Sequence, residues 1–217
     1  MLDAVTRPTG PVAAKVCGLT NREDTLFAAA CGADAVGFIF VPGSKREVHP
    51  DLPAALADEL PPFCWRVGVF ANQPLADVLR LSRAARIDAV QLHGDEPEDV
   101  VAAVAAHYPV LRALLIDDAQ LHDRMHRSAR HVRAFLLDSG HGTGRAFDWQ
   151  HLRQLPALRP IIVAGGLDGA NVPDLCSVYR PAGVDASSRL ESTPGRKNPA
   201  LVAAFVAAAR GIARQNP

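Results

Sequence analysis

The fold class this sequence predicts is a single-domain α/β protein, a closed (β/α)8 TIM barrel, and three observations predict it. Short runs rich in Val and Ile alternate eight times with Ala- and Leu-rich stretches of helical period. That is the pattern of a parallel sheet with helical crossovers. The runs are apolar almost throughout, as strands covered on both faces are, instead of alternating apolar and polar. The chain has 217 residues, 48% hydrophobic and 21% charged, at the compact end of the roughly 200–250 residues such barrels use. A doubly wound open sheet is the competing architecture, and no GxGxxG follows the first run to support it.

Strands are expected at residues 13–17, 35–40, 66–71, 89–93, 110–116, 134–138, 160–164 and 183–187. Helices are expected at 21–31, 51–59, 74–84, 96–106, 118–127, 148–154, 171–178 and 198–213. Asn21 and Asp24 suit the first turn of the first helix, and Gly32 suits its stop. Pro74 opens the third helix, whose apolar face carries Leu75, Val78 and Leu79. Val100, Val101 and Val104 face inward on the fourth, with Asp95 and Glu96 read as its caps. Residues 1–11 are expected as a short arm, and 12–217 as the barrel.

Composition excludes several function classes. Lys+Arg and Asp+Glu are equal at 23 each, which leaves no electrostatic footprint for nucleic acid or an anionic membrane. No apolar run approaches the roughly 20 residues that span a bilayer, and the N-terminus lacks the apolar stretch of a secretory signal. The four cysteines, Cys17, Cys31, Cys64 and Cys176, show no CxxC spacing. A zinc site is therefore not expected, and reduced thiols in the cytoplasm are. Cys31, Cys64 and Cys176 read as packing residues.

In such a barrel the chemistry sits at the C-terminal strand ends and the loops after them. The unusual residues gather there: Cys17 after the first strand, Arg46 after the second, Gln91 and His93 at the fourth, Asp138 at the sixth, Asp185 at the eighth. The glycines Gly142, Gly144, Gly165 and Gly166, with Ser187 and Ser188, suit a phosphate, because glycine lets backbone N–H groups approach an anion. By type alone, Cys17 reads either as an inert core thiol or as a base. Asp138 reads either as a loop cap or as an acid. Arg46 reads as a solvated loop charge or as a carboxylate clamp. His93 is a satisfied strand-end residue or, with Gln91, a pocket wall.

The ordered set of motifs resembles the phosphoribosylanthranilate isomerase family. It comprises Lys15-Val-Cys17-Gly-Leu-Thr20, Gly32-Ala-Asp-Ala-Val-Gly37, Val90-Gln-Leu-His-Gly-Asp-Glu96, Leu137-Asp138-Ser139, Gly142-Thr-Gly144, Ala164-Gly-Gly-Leu167, and Val184-Asp185-Ala-Ser-Ser188 with Glu191 and Pro194-Gly195. The match runs from about residue 13 to the C-terminus. The resemblance implies an Amadori rearrangement of N-(5′-phosphoribosyl)anthranilate in tryptophan biosynthesis, with no metal or organic cofactor. It implies Asp138 as the general acid on the ring oxygen and Cys17 as the general base at C2. It implies Arg46 on the anthranilate carboxylate, and phosphate held by the glycine loops and Ser187-Ser188, with Asp185 beside them.

Those roles carry physical expectations. Asp138 must keep its proton near neutral pH, so its pKa is expected to be raised. Cys17 must act as a thiolate, so its pKa is expected to be lowered. The sequence departs from the family pattern at Lys45, His141 and Arg189. Arg189 replaces a usual glycine beside the phosphate loop and either crowds the anion or strengthens its grip. Two other functions stay open: a related isomerase acting on another phosphoribosyl substrate, and a non-catalytic binder of a phosphorylated ligand. The partner is expected to be a small molecule, and the chain a monomer or homodimer.

Overall fold

The computed structural model describes residues 11–140 and 149–211. Eight parallel strands close in sequence order: β1 (Ala13–Val16), β2 (Ala35–Ile39), β3 (Trp65–Phe70), β4 (Ala89–Leu92), β5 (Val110–Leu115), β6 (Ala134–Asp138), β7 (Ile161–Ala164) and β8 (Gly183–Ala186). β8 returns to pair with β1, with Lys15 opposite Asp185. That ladder closes the ring and excludes the open sheet. Every expected strand is present, with its ends within one residue of expectation.

The crossovers are α1 (Arg22–Ala30), α2 (Asp51–Leu56), α3 (Leu75–Ala84), α4 (Glu98–Ala105), α5 (Leu121–Ser128), α6 (Val172–Val178) and α7 (Pro199–Ala209). A 3-10 helix, Trp149–Gln154, stands between β6 and β7. Asn21 caps α1 by accepting from the N–H of Asp24 at 2.9 Å. Asn198 caps α7 by accepting from Ala200 and Leu201, with Pro199 in the first turn. A cap of this kind is worth about 1 kcal/mol. α7 stops at Ala209, short of the expected 213, and Gly211 just beyond turns left-handed at φ 68°. Residues 1–10 of the expected arm, and His141, Gly142 and Gly144, lie outside the described residues.

One expectation about caps is overturned. α4 begins at Glu98 with Pro97 in the cap position and no side-chain cap. Glu96 is instead buried: it accepts from the N–H groups of Asn72 and Gly94 and from Arg112 Nη1 at 2.5 Å. It ties β5 to the loops after β3 and β4. Asp95 pairs with Arg124 at 3.1 Å.

Strand parity decides which residues reach the barrel axis. Successive side chains point to opposite faces, so the alternate set Val16, Val36, Phe38, Val90, Leu137 and Val184 packs outward in the main core under the helices. Burying each such side chain contributes about 1.5–3 kcal/mol. The other set points inward. At mid-height it includes Lys15, Gly37, Gln91, Leu136 and Asp185, and one step higher Cys17, Ile39, His93, Asp138 and Ser187. The polar members of that inner set are the first mark of a site.

After β8 the chain makes a 3-10 turn (Ser188–Leu190) and then a small hairpin of β9 (Glu191–Thr193) and β10 (Arg196–Lys197). The sequence reading did not anticipate this hairpin.

Candidate active site

A cavity of about 350 Å³ opens at the C-terminal end of the barrel, within the size range of small-molecule sites. Cys17 and Asp138 both line it, from β1 and β6. Arg46, Gln91, His93, Asp185, Gly165, Gly166, Ser187, Ser188 and Arg189 line it too. Every expected site residue within the described chain therefore reaches one space. Gly142 and Gly144 fall outside the described residues.

On the β6 side, Asp138 Oδ1 accepts from the N–H of Gly140 at 3.0 Å. Its Oδ2 stands 3.6 Å from His93 Nε2, and His93 Nδ1 lies 3.0 Å from Gln91 Nε2. Gln91 thus orients His93, which faces the carboxyl group. Gly165 is left-handed, and a Cβ there would sit 2.6 Å from Asp138 Oδ1 and 2.2 Å from Ser139 Oγ. Only glycine lets β7 turn that closely over the carboxyl group.

On the β1 side, Cys17 is 5% exposed. Burial pushes its thiol up from the ordinary value, against the opposing pull of Lys15 and Lys197. The expected lowering of this pKa is therefore reversed. The cause is desolvation, which penalises a thiolate in a narrow cavity.

Beneath Cys17, Lys15 Nζ donates to Asp185 Oδ1 at 3.0 Å, both groups buried. Burial depresses the Lys15 pKa, but Asp185 and Cys17 together hold it above the ordinary lysine value. The hairpin brings a second buried ammonium: Lys197 Nζ donates to Glu191 Oε1 at 2.8 Å and to the carbonyl of Ser187 at 3.1 Å.

Arg46 meets Glu191 as a fork, Nε to Oε1 and Nη2 to Oε2, each at 2.7 Å. Its guanidinium edge is thus already occupied by a protein carboxylate. Burial raises Glu191, but hydrogen bonds and charges from Arg46 and Lys197 leave it below the usual glutamate range.

After β7, Gly165 and Gly166 turn left-handed in succession, at φ 87° and 65°, and both line the cavity. The Ser187 Oγ and Gln91 Oε1 atoms are buried with no hydrogen-bond partner among the described residues. Buried polar atoms are ordinarily paired, and both of these residues line the cavity. Arg189 turns outward to Asp168, with Nη2 2.6 Å from Oδ2. Arg189 therefore stands at the cavity wall and ties the loop after β7 to the loop after β8.

Sequence reasoning missed Lys15, Lys197 and the Arg46–Glu191 fork as parts of the site. Lys15 had a readable signal, since it stands two residues before Cys17 and so shares its inward face.

The comparisons agree with this geometry. The family model for N-(5′-phosphoribosyl)anthranilate isomerase matches residues 14–208. The N-(5′-phosphoribosyl)anthranilate isomerase of Deinococcus radiodurans is 45% identical, over 93% of this chain and 98% of that protein. A phosphoribosyl anthranilate isomerase solved in complex with reduced 1-(o-carboxyphenylamino)-1-deoxyribulose 5-phosphate is 38% identical. It covers 92% of this chain and 99% of that one, at a TM-score of 0.80. Engineered monomers of the dimeric enzyme of Thermotoga maritima superpose at 0.79, 36% identical, over 92% of this chain and 99% of that one. With the barrel and the cavity as described, the chain belongs to the N-(5′-phosphoribosyl)anthranilate isomerase family.

Proposed function

We propose that this chain isomerises N-(5′-phosphoribosyl)anthranilate to the aminoketose in tryptophan biosynthesis, by general acid/base catalysis at Asp138 and Cys17. The observation that carries the reading is the placing of that thiol and that carboxyl group on opposite walls of one cavity, with the glycine turns after β7 between them.

The chemistry follows from the walls. Asp138 protonates the ring oxygen as the ribose C1–O bond breaks, which gives a Schiff base between C1 and the anthranilate nitrogen. Cys17 then removes the C2 proton, and the enamine so formed tautomerises to the ketose. Each positioned group contributes about 10²–10⁴-fold in rate. Phosphate sits at Gly165-Gly166 and Ser187-Ser188, which line the cavity. The anthranilate carboxylate engages Arg46, Gln91 and His93 line the sugar, and Asp185 supports the site through Lys15. Anchoring both ends of the substrate fixes the sugar between acid and base. Both steps are written with protein groups alone, Asp138 giving a proton and Cys17 taking one.

The assay is loss of phosphoribosylanthranilate fluorescence with purified protein. Turnover of this substrate, and none of a phosphoribosyl imidazole, is the expected result. The reverse preference would move the reading to the related isomerase, and tight ligand binding without turnover would move it to the binder.

The partner that the surface supports is a second copy of this chain. At the N-terminal end of the barrel, Phe63 is 88% exposed and stands with Trp65 at the rim of a second cavity of about 330 Å³ lined mostly by apolar groups. An exposed aromatic pair beside an apolar cavity is an interface composition. Light scattering on Phe63→Glu, which should be monomeric if the wild type is a dimer, tests it. Among the described residues no helix is long and apolar enough to cross a membrane, and the cysteines are free thiols. Both support action in the cytoplasm.

A further inference from the structure

We infer that Lys15 is a positioning residue for Cys17: its ammonium group, anchored by Asp185, favours deprotonation of the buried sulfur that faces the substrate. The inference rests on reading Cys17 as the base.

The geometry begins with strand parity. Lys15 lies one step below Cys17 on the inner face of β1, and the β1–β8 register sets it opposite Asp185. The ion pair closes at 3.0 Å with both partners buried. Gly37 on the neighbouring β2 makes the room. A Cβ at that position would lie 2.6 Å from Cys17 Sγ and 3.1 Å from Lys15 Nζ, so the sulfur and the ammonium share the space that glycine leaves.

Charge counting gives the reason. The groups that face or border Cys17 on this side are Lys15 from β1, Asp185 from β8, Lys197 and Glu191 from the hairpin, and Arg46 from the loop after β2. Three are cations and two are carboxylates, so the surroundings favour a thiolate, while burial opposes it. Across the cavity, His93 Nε2 stands 3.6 Å from Asp138 Oδ2.

A lysine is costly to bury, and a well-packed apolar residue at position 15 would normally be no less stable. Asp185 offsets that cost but also opposes the thiolate, while Lys15 and Lys197 favour it. The network therefore predicts opposite effects on the sulfur from its two members. An ion pair that did not act on the sulfur would leave its titration unmoved in both variants.

The experiment measures the pH dependence of Cys17 alkylation by iodoacetamide, quantified by mass spectrometry of the peptide that carries Cys17. The intact proteins compared are wild type, Lys15→Gln, Lys15→Arg and Asp185→Asn. In Lys15→Gln the alkylation midpoint should rise by about one pH unit or more, about a tenfold loss of thiolate at neutral pH. The alkaline-rising limb of kcat/KM should move with it. Lys15→Arg, which keeps the cation, should restore part of the shift. In Asp185→Asn the midpoint should fall, because Lys15 then has only the sulfur to pair with.

An unmoved midpoint in Lys15→Gln, or shifts of the same sign in Lys15→Gln and Asp185→Asn, overturns the inference. If Lys15→Gln does not fold, an unmoved or raised midpoint in Asp185→Asn overturns it alone. Turnover that survives Cys17→Ala would instead sink the base assignment and leave the alkylation shifts readable, so the two failures are distinguishable.

Discussion

Arg46 and Glu191 meet fork to fork, with both N–O distances at 2.7 Å, in the place where the proposed substrate presents its carboxylate. A planar guanidinium can exchange one carboxylate for another without losing geometry, whereas an ammonium cannot. Arg46→Lys should therefore raise KM about tenfold or more, with a smaller change in kcat, as expected for an interaction equal in ground and transition states. Steady-state kinetics on the purified variant checks the split, and a fall in kcat alone would contradict the clamp.

The unpartnered Ser187 hydroxyl separates binding from stability. Its oxygen is buried without a partner, so Ser187→Ala removes no hydrogen bond from the free protein, and melting should be unchanged or slightly raised. The bound phosphate would lose one net hydrogen bond of about 1 kcal/mol. Affinity for a product analogue, by calorimetry, should fall about fivefold.

The two consecutive glycines after β7 predict unequal effects. Gly165→Ala must push against Asp138 Oδ1, Ser139 Oγ and the Ser139 backbone nitrogen. It should cost stability by about 1–3 kcal/mol and lower kcat by displacing the acid. Gly166 is also left-handed but has open space where its Cβ would stand. Gly166→Ala should cost only backbone strain, at the low end of that same range of about 1–3 kcal/mol, and spare Asp138. Thermal melts and kcat for both variants check the contrast.

Acid stability follows from Glu191. Its pKa is held below the ordinary 4.5 in the folded chain. A carboxylate depressed in this way contributes stability that is present above its unfolded pKa and is lost as pH falls through the folded value. The melting temperature of wild type should therefore drop as pH falls below about 4.5. In Glu191→Gln the drop should be shallower, because the carboxylate that Arg46 and Lys197 stabilise is gone.

Much of this molecule was readable from local pattern. β1 to β8 are continuous apolar runs, and an eightfold strand–helix alternation admits few topologies. Cys17, Asp138 and Ser187 were visible because polar residues at the ends of buried strands stand out. The hairpin was not visible, since β9 and β10 are three and two residues long, too short for any periodicity. Its cargo, Lys197 and the Arg46–Glu191 fork, went unread with it. Glu96 looked like a helix cap because its partner, Arg112, is contributed by another strand. The upward direction of the Cys17 shift comes from burial, which outweighs the lysines of two elements, and burial is a property of the closed barrel.

The most direct test of the central claim is single-turnover and steady-state consumption of phosphoribosylanthranilate by wild type, Cys17→Ala and Asp138→Ala, with circular dichroism confirming the fold of each. The account predicts turnover by wild type and a loss of at least about 10²-fold in each variant, with product binding retained. Near-wild-type rates in folded Asp138→Ala would contradict it.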